Sequence, residues 1–156
     1  DGGAALLHAS AEGAKKQGVK PIARLTHWAY VGVEPTLMGM GPAPATRKVL
    51  DKAGLTLKDI DLIEVNEAFA AQYLAVEKEL GLDRERVNVN GGAIAMGHPL
   101  ASSGVRLMNQ LARAFEERPE VRYGLTTMCL GIGMGGTVIW ENPHWTGSTE
   151  EGENSK

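Results

Sequence analysis

Apolar positions recur along this chain with two periods, and predicted elements follow from where each period starts and stops. Ala4–Ala9 is an apolar run that reads as a strand. Ser10 then caps a short helix, Ala11–Gln17, which Gly18 closes. Pro21–Tyr30 alternates Ile22, Leu25 and Trp28 with polar neighbours and reads as a second strand, whereas Val31–Pro44 is too broken by Gly and Pro for a regular element. Pro44–Ala53 reads as a helix with proline in its first turn and Gly54 beyond its end. Leu62–Val65 is a short strand, followed by Asn66 as N-cap and Glu67 in the first turn of a helix reaching Leu80. Val87–Val89 is a brief strand, and a long loop to Ser102 leads into an amphipathic helix with Leu107, Leu111 and Phe115 on one face, ending near Glu117. Tyr123–Met128 and Thr137–Glu141 are two last strands joined by a glycine turn, and from Pro143 onward the chain reads as a flexible polar tail.

Strands alternating with helices predict an α/β layered fold whose mixed sheet is mostly parallel, flanked by helices and closed by an antiparallel pair. Ligands of such folds bind at the carboxyl ends of strands. Asn66, His98 and the turn after Cys129 all fall at or just beyond predicted strand ends.

Composition narrows the function classes. With 156 residues, 43% of them hydrophobic, the chain can bury one core. A net charge of -3 without a basic stripe argues against nucleic acid or an anionic membrane as main partner. No apolar run reaches the roughly 18 residues of a membrane span, and no secretory signal is recognisable. Cys129 is the single cysteine, which excludes an internal disulfide and fits a reducing compartment, the cytosol or an organelle matrix. The chain opens DGGAALLHAS inside an apolar run without methionine. It is therefore expected to be part of a larger protein, or a processed or separately encoded portion of one.

Three stretches could carry chemistry. Cys129 reads as a small buried hydrophobe or as a reactive thiol; the glycines at 131, 133, 135 and 136 offer backbone amides that favour thiolate and would lower its pKa. His98 stands between Gly97 and Pro99 at the end of a glycine-rich loop, a frame that suits a base or a donor to a developing anion, while a loop histidine bonded to backbone is the plainer alternative. Asn66 is either a helix cap or an amide that holds a water or an oxyanion. Gly131, Gly133 and Gly136 also satisfy G-x-G-x-x-G, but a dinucleotide fingerprint opens a helix and here the β-prone TVIWE comes next. One cysteine and one loop histidine provide no paired spacing for zinc, so no metal is expected.

NEAFAAQ at Asn66–Gln72, NVNGGAIAMGHP at Asn88–Pro99 with SGVR beyond it, and C-x-G-x-G-x-G from Cys129 resemble, in order and spacing, the thiolase family of acetyl-CoA acetyltransferases and 3-ketoacyl-CoA thiolases. GVEPTLMGMGPAPATRKVL resembles the family's CoA-side loop and the helix after it, so the likeness runs from Asp1 to about Glu141. NEAF is the thiolase form of its motif, where the sterol-carrier-type relatives usually carry His-Asp. An acyl-carrier ketosynthase relative would show a second histidine where Cys129 stands.

The resemblance implies the carboxyl-terminal half of an αβαβα arrangement. Residues 1–30 would be the end of the amino-terminal domain and the crossover, 31–142 the carboxyl-terminal domain, and 143–156 the tail. It implies reversible Claisen condensation or thiolysis of 3-ketoacyl-CoA in fatty acid metabolism, with a coenzyme A thioester as substrate, no further cofactor and an oligomeric assembly. His98 would activate the acyl-accepting cysteine and help bind the thioester oxygen. Cys129 would be the second cysteine, the acid/base acting on the substrate α-carbon and the leaving thiol. Asn66 would hold a water completing one oxyanion hole, the Gly131 amide would serve the other, and Met38, Ala68 and Phe69 would line the pantetheine tunnel. Two departures stand out. Ala101 replaces the glycine of GHPxGxSG, for which a small local shift is expected, and the nucleophilic cysteine of the family has no counterpart among these residues. The chain alone is expected to be inactive, completed by an amino-terminal portion or partner chain. The alternative is a non-catalytic thiolase-like subunit that binds acyl-CoA or stabilises an assembly.

Overall fold

The computed structural model describes residues 1–147. Four strands, β1 (Arg24–Gly32), β2 (Leu62–Val65), β3 (Tyr123–Leu130) and β4 (Met134–Glu141), form one sheet in the order β1-β4-β3-β2. The α-helices among the described residues are α1 (Ala11–Gln17), α2 (Pro42–Ala53), α3 (Ala70–Leu80), the single turn α4 (Ala93–Met96) and α5 (Leu100–Glu117).

The expected mixed sheet with flanking helices is present, but its parallel majority is not. β2 pairs with β3 in parallel, while β3 with β4 and β1 with β4 are antiparallel. The three-residue turn Gly131–Gly133 leaves β4 no other direction, because parallel neighbours need a long crossover. The strand expected at Val87–Val89 reduces to one parallel bridge between Val87 and Ile63. Asn88 takes over from there: its backbone N–H donates to Ile63 O, while its side chain accepts from Val65 N–H and donates to Val65 O. The amide of one asparagine thus replaces a rung of the ladder.

Adjacent residues of a strand point to opposite faces, and the two faces bury different helices. Ile63, Val65, Leu125, Ile139 and Ala29 pack with Val49 and Leu50 of α2 and Val76 of α3. Leu62 and Trp140 face the other way, against Leu111, Ala114 and Phe115 of α5. The periodicity expected of Leu107, Leu111 and Phe115 is what sinks α5 into that face, and all three are buried.

Other expectations shift with the tertiary setting. Ala4–Ala9 forms no strand, and Leu7 is 85% exposed. Apolar composition does not make a strand without a neighbour for its backbone, and among the described residues the segment's hydrogen bond to another element is that from Asn109 to Ala5 O. α1 forms as expected, with Ser10 Oγ accepting from Gly13 N–H. β1 starts three residues after Pro21 and runs to Gly32. α2 begins at Pro42, one proline earlier than expected. Ala101 is the second residue of α5, in a right-handed helix that alanine suits.

The largest revision concerns Asn66 and Glu67, which cap nothing in α3. That helix starts at Ala70 after an extended Phe69. Asn66 instead prolongs β2, donating its N–H to Thr127 O. At the other end of the chain, Trp145 Nε1 donates to Glu120 O and its ring lies 4.5 Å from the Arg122 guanidinium carbon, so the segment just after Pro143 is tied down. The remainder of the expected flexible tail, residues 148–156, lies outside the described residues. No helix among the described residues is long and apolar enough to cross a membrane.

Candidate active site

Parallel pairing of β2 and β3 sets their carboxyl ends side by side, with Asn66 just past the end of β2 and Cys129 near the end of β3. Asn66 follows β2 directly and is wholly buried. Its Nδ2 lies 3.3 Å from His98 Nε2. The other ring nitrogen, Nδ1, lies 2.6 Å from Ser103 Oγ, and Ser103 Oγ is 3.1 Å from Pro99 O. One arrangement of protons satisfies all three contacts. Ser103 donates its single proton to Pro99 O, the His98 Nδ1–H donates to Ser103, and Asn66 Nδ2 donates to Nε2. His98 is then the Nδ1-protonated tautomer with a basic Nε2. Asn66 Oδ1 is buried with no hydrogen-bond partner among the described residues.

His98 reaches this position through Gly97, whose φ of 95° turns the chain out of α4. Ser103 lies in the first turns of α5 and is completely buried. Ser103 opens the SGVR stretch of the resemblance, but the residue pattern gives it no role there. A serine five residues past a histidine is legible as its partner only once a helix is known to start between them.

Cys129 lies two residues beyond Thr127, the residue whose carbonyl accepts the Asn66 N–H, near the end of β3. It is 9% exposed. Burial pushes its thiol up from the ordinary cysteine range, and a backbone hydrogen bond offsets this only in part. The lowered pKa expected from the glycine turn is therefore reversed, because desolvation of the thiolate outweighs the nearby amides. Among the described residues no hydrogen bond joins the thiol to His98 or Asn66. Gly131 opens the turn after β3 and is exposed, and Ile132 at its tip is 89% exposed with a φ of 69°, a strained setting for a β-branched side chain.

Met38 lies half-buried in a tight helical segment, Pro35–Met40, held at both ends. Val33 N–H donates to Gly133 O at 2.8 Å, and the Gly41 carbonyl presses so closely on Gly135 that a side chain at 135 would overlap it. Gly39 packs on α3, where an added Cβ would lie 2.9 Å from Gln72 Cγ. α3 starts just after Ala68, half-buried, and Phe69, 67% exposed. Met38, Ala68 and Phe69 thus sit on two segments packed together, and the first of these is pinned to the Cys129 hairpin.

Glu64, two residues before Asn66, is 3% exposed, with Oε2 unpartnered among the described residues. Burial pushes its carboxyl up to about 8, against the pull of the Arg106 guanidinium. No motif or periodicity singles out this group in the sequence.

A family model described as the thiolase C-terminal domain matches residues 19–142. The acetyl-CoA acetyltransferase of Escherichia coli (strain K12) is 54% identical over 141 residues, which are 90% of this chain and 36% of that protein. The 3-oxoadipyl-CoA/3-oxo-5,6-dehydrosuberyl-CoA thiolase of the same organism is 56% identical over 144 residues, 90% of this chain and 35% of that one. Among solved structures, human mitochondrial 3-ketoacyl-CoA thiolase superposes with a TM-score of 0.83 at 48% identity, over 86% of this chain and 34% of that chain. The Bacillus anthracis acetyl-CoA acetyltransferase does so with a TM-score of 0.82 at 48% identity, over 85% and 34%. The chain spans about a third of the length of these relatives. With the matched region running from before β1 to just past β4, this chain belongs to the thiolase family, as its carboxyl-terminal domain.

Proposed function

We propose that the chain is the carboxyl-terminal part of an acyl-CoA:acetyl-CoA C-acyltransferase, catalysing reversible Claisen condensation and thiolysis of 3-ketoacyl-CoA, with the nucleophilic cysteine supplied by an amino-terminal portion or partner chain. The observation that carries this reading is the Asn66–His98–Ser103 network, which holds a basic imidazole nitrogen beside a buried amide. On this reading the incoming cysteine displaces the Asn66 amide from His98 Nε2, which takes the thiol's proton. The imidazolium so formed then donates from Nε2 to the thioester oxygen as charge develops there. Asn66 Oδ1, free of protein donors among the described residues, accepts one proton of a water whose other proton points at the same oxygen.

Cys129 enters as an acid, which a buried and protonated thiol favours. In thiolysis, attack of the nucleophile on the 3-keto carbon breaks the bond to the α-carbon, and Cys129 gives its proton to the departing acetyl-CoA enolate. The resulting thiolate takes the proton of the incoming coenzyme A thiol, which releases the acyl group and restores Cys129. The Gly131 amide serves the second oxyanion hole. Met38, Ala68 and Phe69 line the path of the pantetheine arm, and no further cofactor is needed. The reading places the protein in the cytosol or an organelle matrix as part of an oligomer.

The test mixes the chain with a thiolase amino-terminal portion and tracks thiolysis of acetoacetyl-CoA. Cys129→Ala should lower the rate by at least about 100-fold, the scale of general acid–base catalysis. Full-rate turnover by that variant would overturn the role of Cys129. Coenzyme A binding without turnover, whatever amino-terminal portion is added, would replace the catalytic reading with that of a thiolase-like binding subunit.

A further inference from the structure

Glu67 is bonded covalently to Asn66, yet its carboxylate serves a distant loop. Oε1 accepts from Asn88 Nδ2 at 2.8 Å, and Oε2 accepts from Ile94 N–H at 2.9 Å. Ile94 is the second residue of α4, whose N-cap is Gly92, a residue with no side chain to cap it. Glu67 therefore supplies from another segment the acceptor that an N-cap side chain usually supplies. Gly92 makes room for it: a Cβ there would fall on the Glu67 carboxylate. α4 leads through Gly97 straight to His98. The backbone from Asn66 to Glu67, the bond to Ile94, the turn of α4 and the contact of His98 with Asn66 thus close a ring.

We infer that Glu67 is a positioning residue whose carboxylate, by capping α4 across the Gly92 gap, sets the spacing of Asn66 and His98. This rests on the catalytic reading above for its consequence in turnover, but not for its geometry. A ring closed by two hydrogen bonds holds one contact only as well as it holds the other. Without the Ile94 anchor, the loop that delivers the imidazole keeps the Ser103 contact, the Gly91 O to Gln110 bond and the Asn88 bonds to Val65 as tethers; only the last lies beside Asn66, and it is ten residues away from His98 along the chain. A shift of about 1 Å between groups that must converge on one oxygen can cost on the order of 100-fold in rate.

Three variants test this. Glu67→Gln keeps the size but offers one acceptor oxygen to two donors, Glu67→Ala removes both acceptors, and Gly92→Ala drives a methyl group into the carboxylate. In the full 156-residue chain, NMR reads the nuclear Overhauser contact between the Asn66 side-chain amide and the His98 ring, together with the Nε2 chemical shift. Both should change in Glu67→Ala and Gly92→Ala and shift less in Glu67→Gln, whose dispersed amide spectrum would certify the fold. With the amino-terminal portion added, kcat should fall about tenfold in Glu67→Gln and on the order of 100-fold in Glu67→Ala, with KM for the thioester unchanged. The double variant Glu67→Ala/Gly92→Ala should be no worse than Glu67→Ala, since the methyl group then has space. An undisturbed Asn66–His98 contact in folded Glu67→Ala, or simple addition of the two single effects, would overturn the inference. If the unmutated assembly shows no thiolysis, the catalytic reading falls, while the NMR measurements still decide the role of Glu67.

Discussion

His98 holds a different partner on each ring nitrogen, and the two partners do different work. Asn66 meets Nε2, the atom that would face a substrate, while Ser103 holds Nδ1 on the far side and so selects the tautomer. Ser103→Ala leaves Nδ1–H without its acceptor and frees the ring to rotate or change tautomer. The expected outcome in the assembled enzyme is a kcat lowered about tenfold, the scale of one orienting hydrogen bond, with a displaced pH–rate profile. A profile identical to that of the unmutated enzyme would remove Ser103 from the site. Cys129 shows how far a single residue's chemistry depends on its cover. Its glycine neighbours point to a lowered thiol pKa, and burial raises it instead, because the cost of desolvating a thiolate is set by the groups packed over the sulfur rather than by its neighbours in the chain.

Elements position these side chains through backbone contacts that admit no side chain. The β3–β4 hairpin and the segment leading into α2 meet at Gly41 and Gly135, where carbonyl and Cα approach too closely for any Cβ. That contact sets Pro35–Met40 beside the Cys129 turn, and the Gly133 O to Val33 N–H bond reinforces it. Gly135→Ala should therefore cost at least about 3 kcal/mol, at the severe end for single substitutions, since only backbone movement relieves the overlap. Denaturant unfolding checks this, and an unchanged midpoint would mean that the segment yields freely. Much at this scale is legible in the residue pattern. β2 has the expected bounds, α5 has the expected face, and the hairpin falls where the glycines interrupt the β pattern. The start of α3 is not legible, because Asn66 and Glu67 are good capping residues in isolation and are claimed here by Thr127, His98, Asn88 and Ile94.

At the scale of the molecule, the buried Glu64 carboxyl couples folding to pH. Its folded-state value is raised from 4.5 to about 8. Between those values the unfolded chain has released a proton that the folded chain keeps, so stability falls as pH rises through that window. Thermal unfolding at about pH 5 and about pH 9 should show a lower Tm at the higher value, and Glu64→Gln should flatten the difference. A wild-type Tm that rises across the window would contradict this burial-driven shift. By itself the sequence determined the family motifs, the amphipathic face of α5 and the short buried strand before Asn66, because periodicity and glycine–proline punctuation act over a few residues and need no distant partner. Only the tertiary structure decided that the sheet is mainly antiparallel, that Ala4–Ala9 stays unpaired, that Glu67 caps a helix other than its own, and that Glu64 and the Cys129 thiol favour their protonated forms. Each of those outcomes depends on which group competes for a hydrogen bond, or on what excludes water, and both are set by segments far away in the chain.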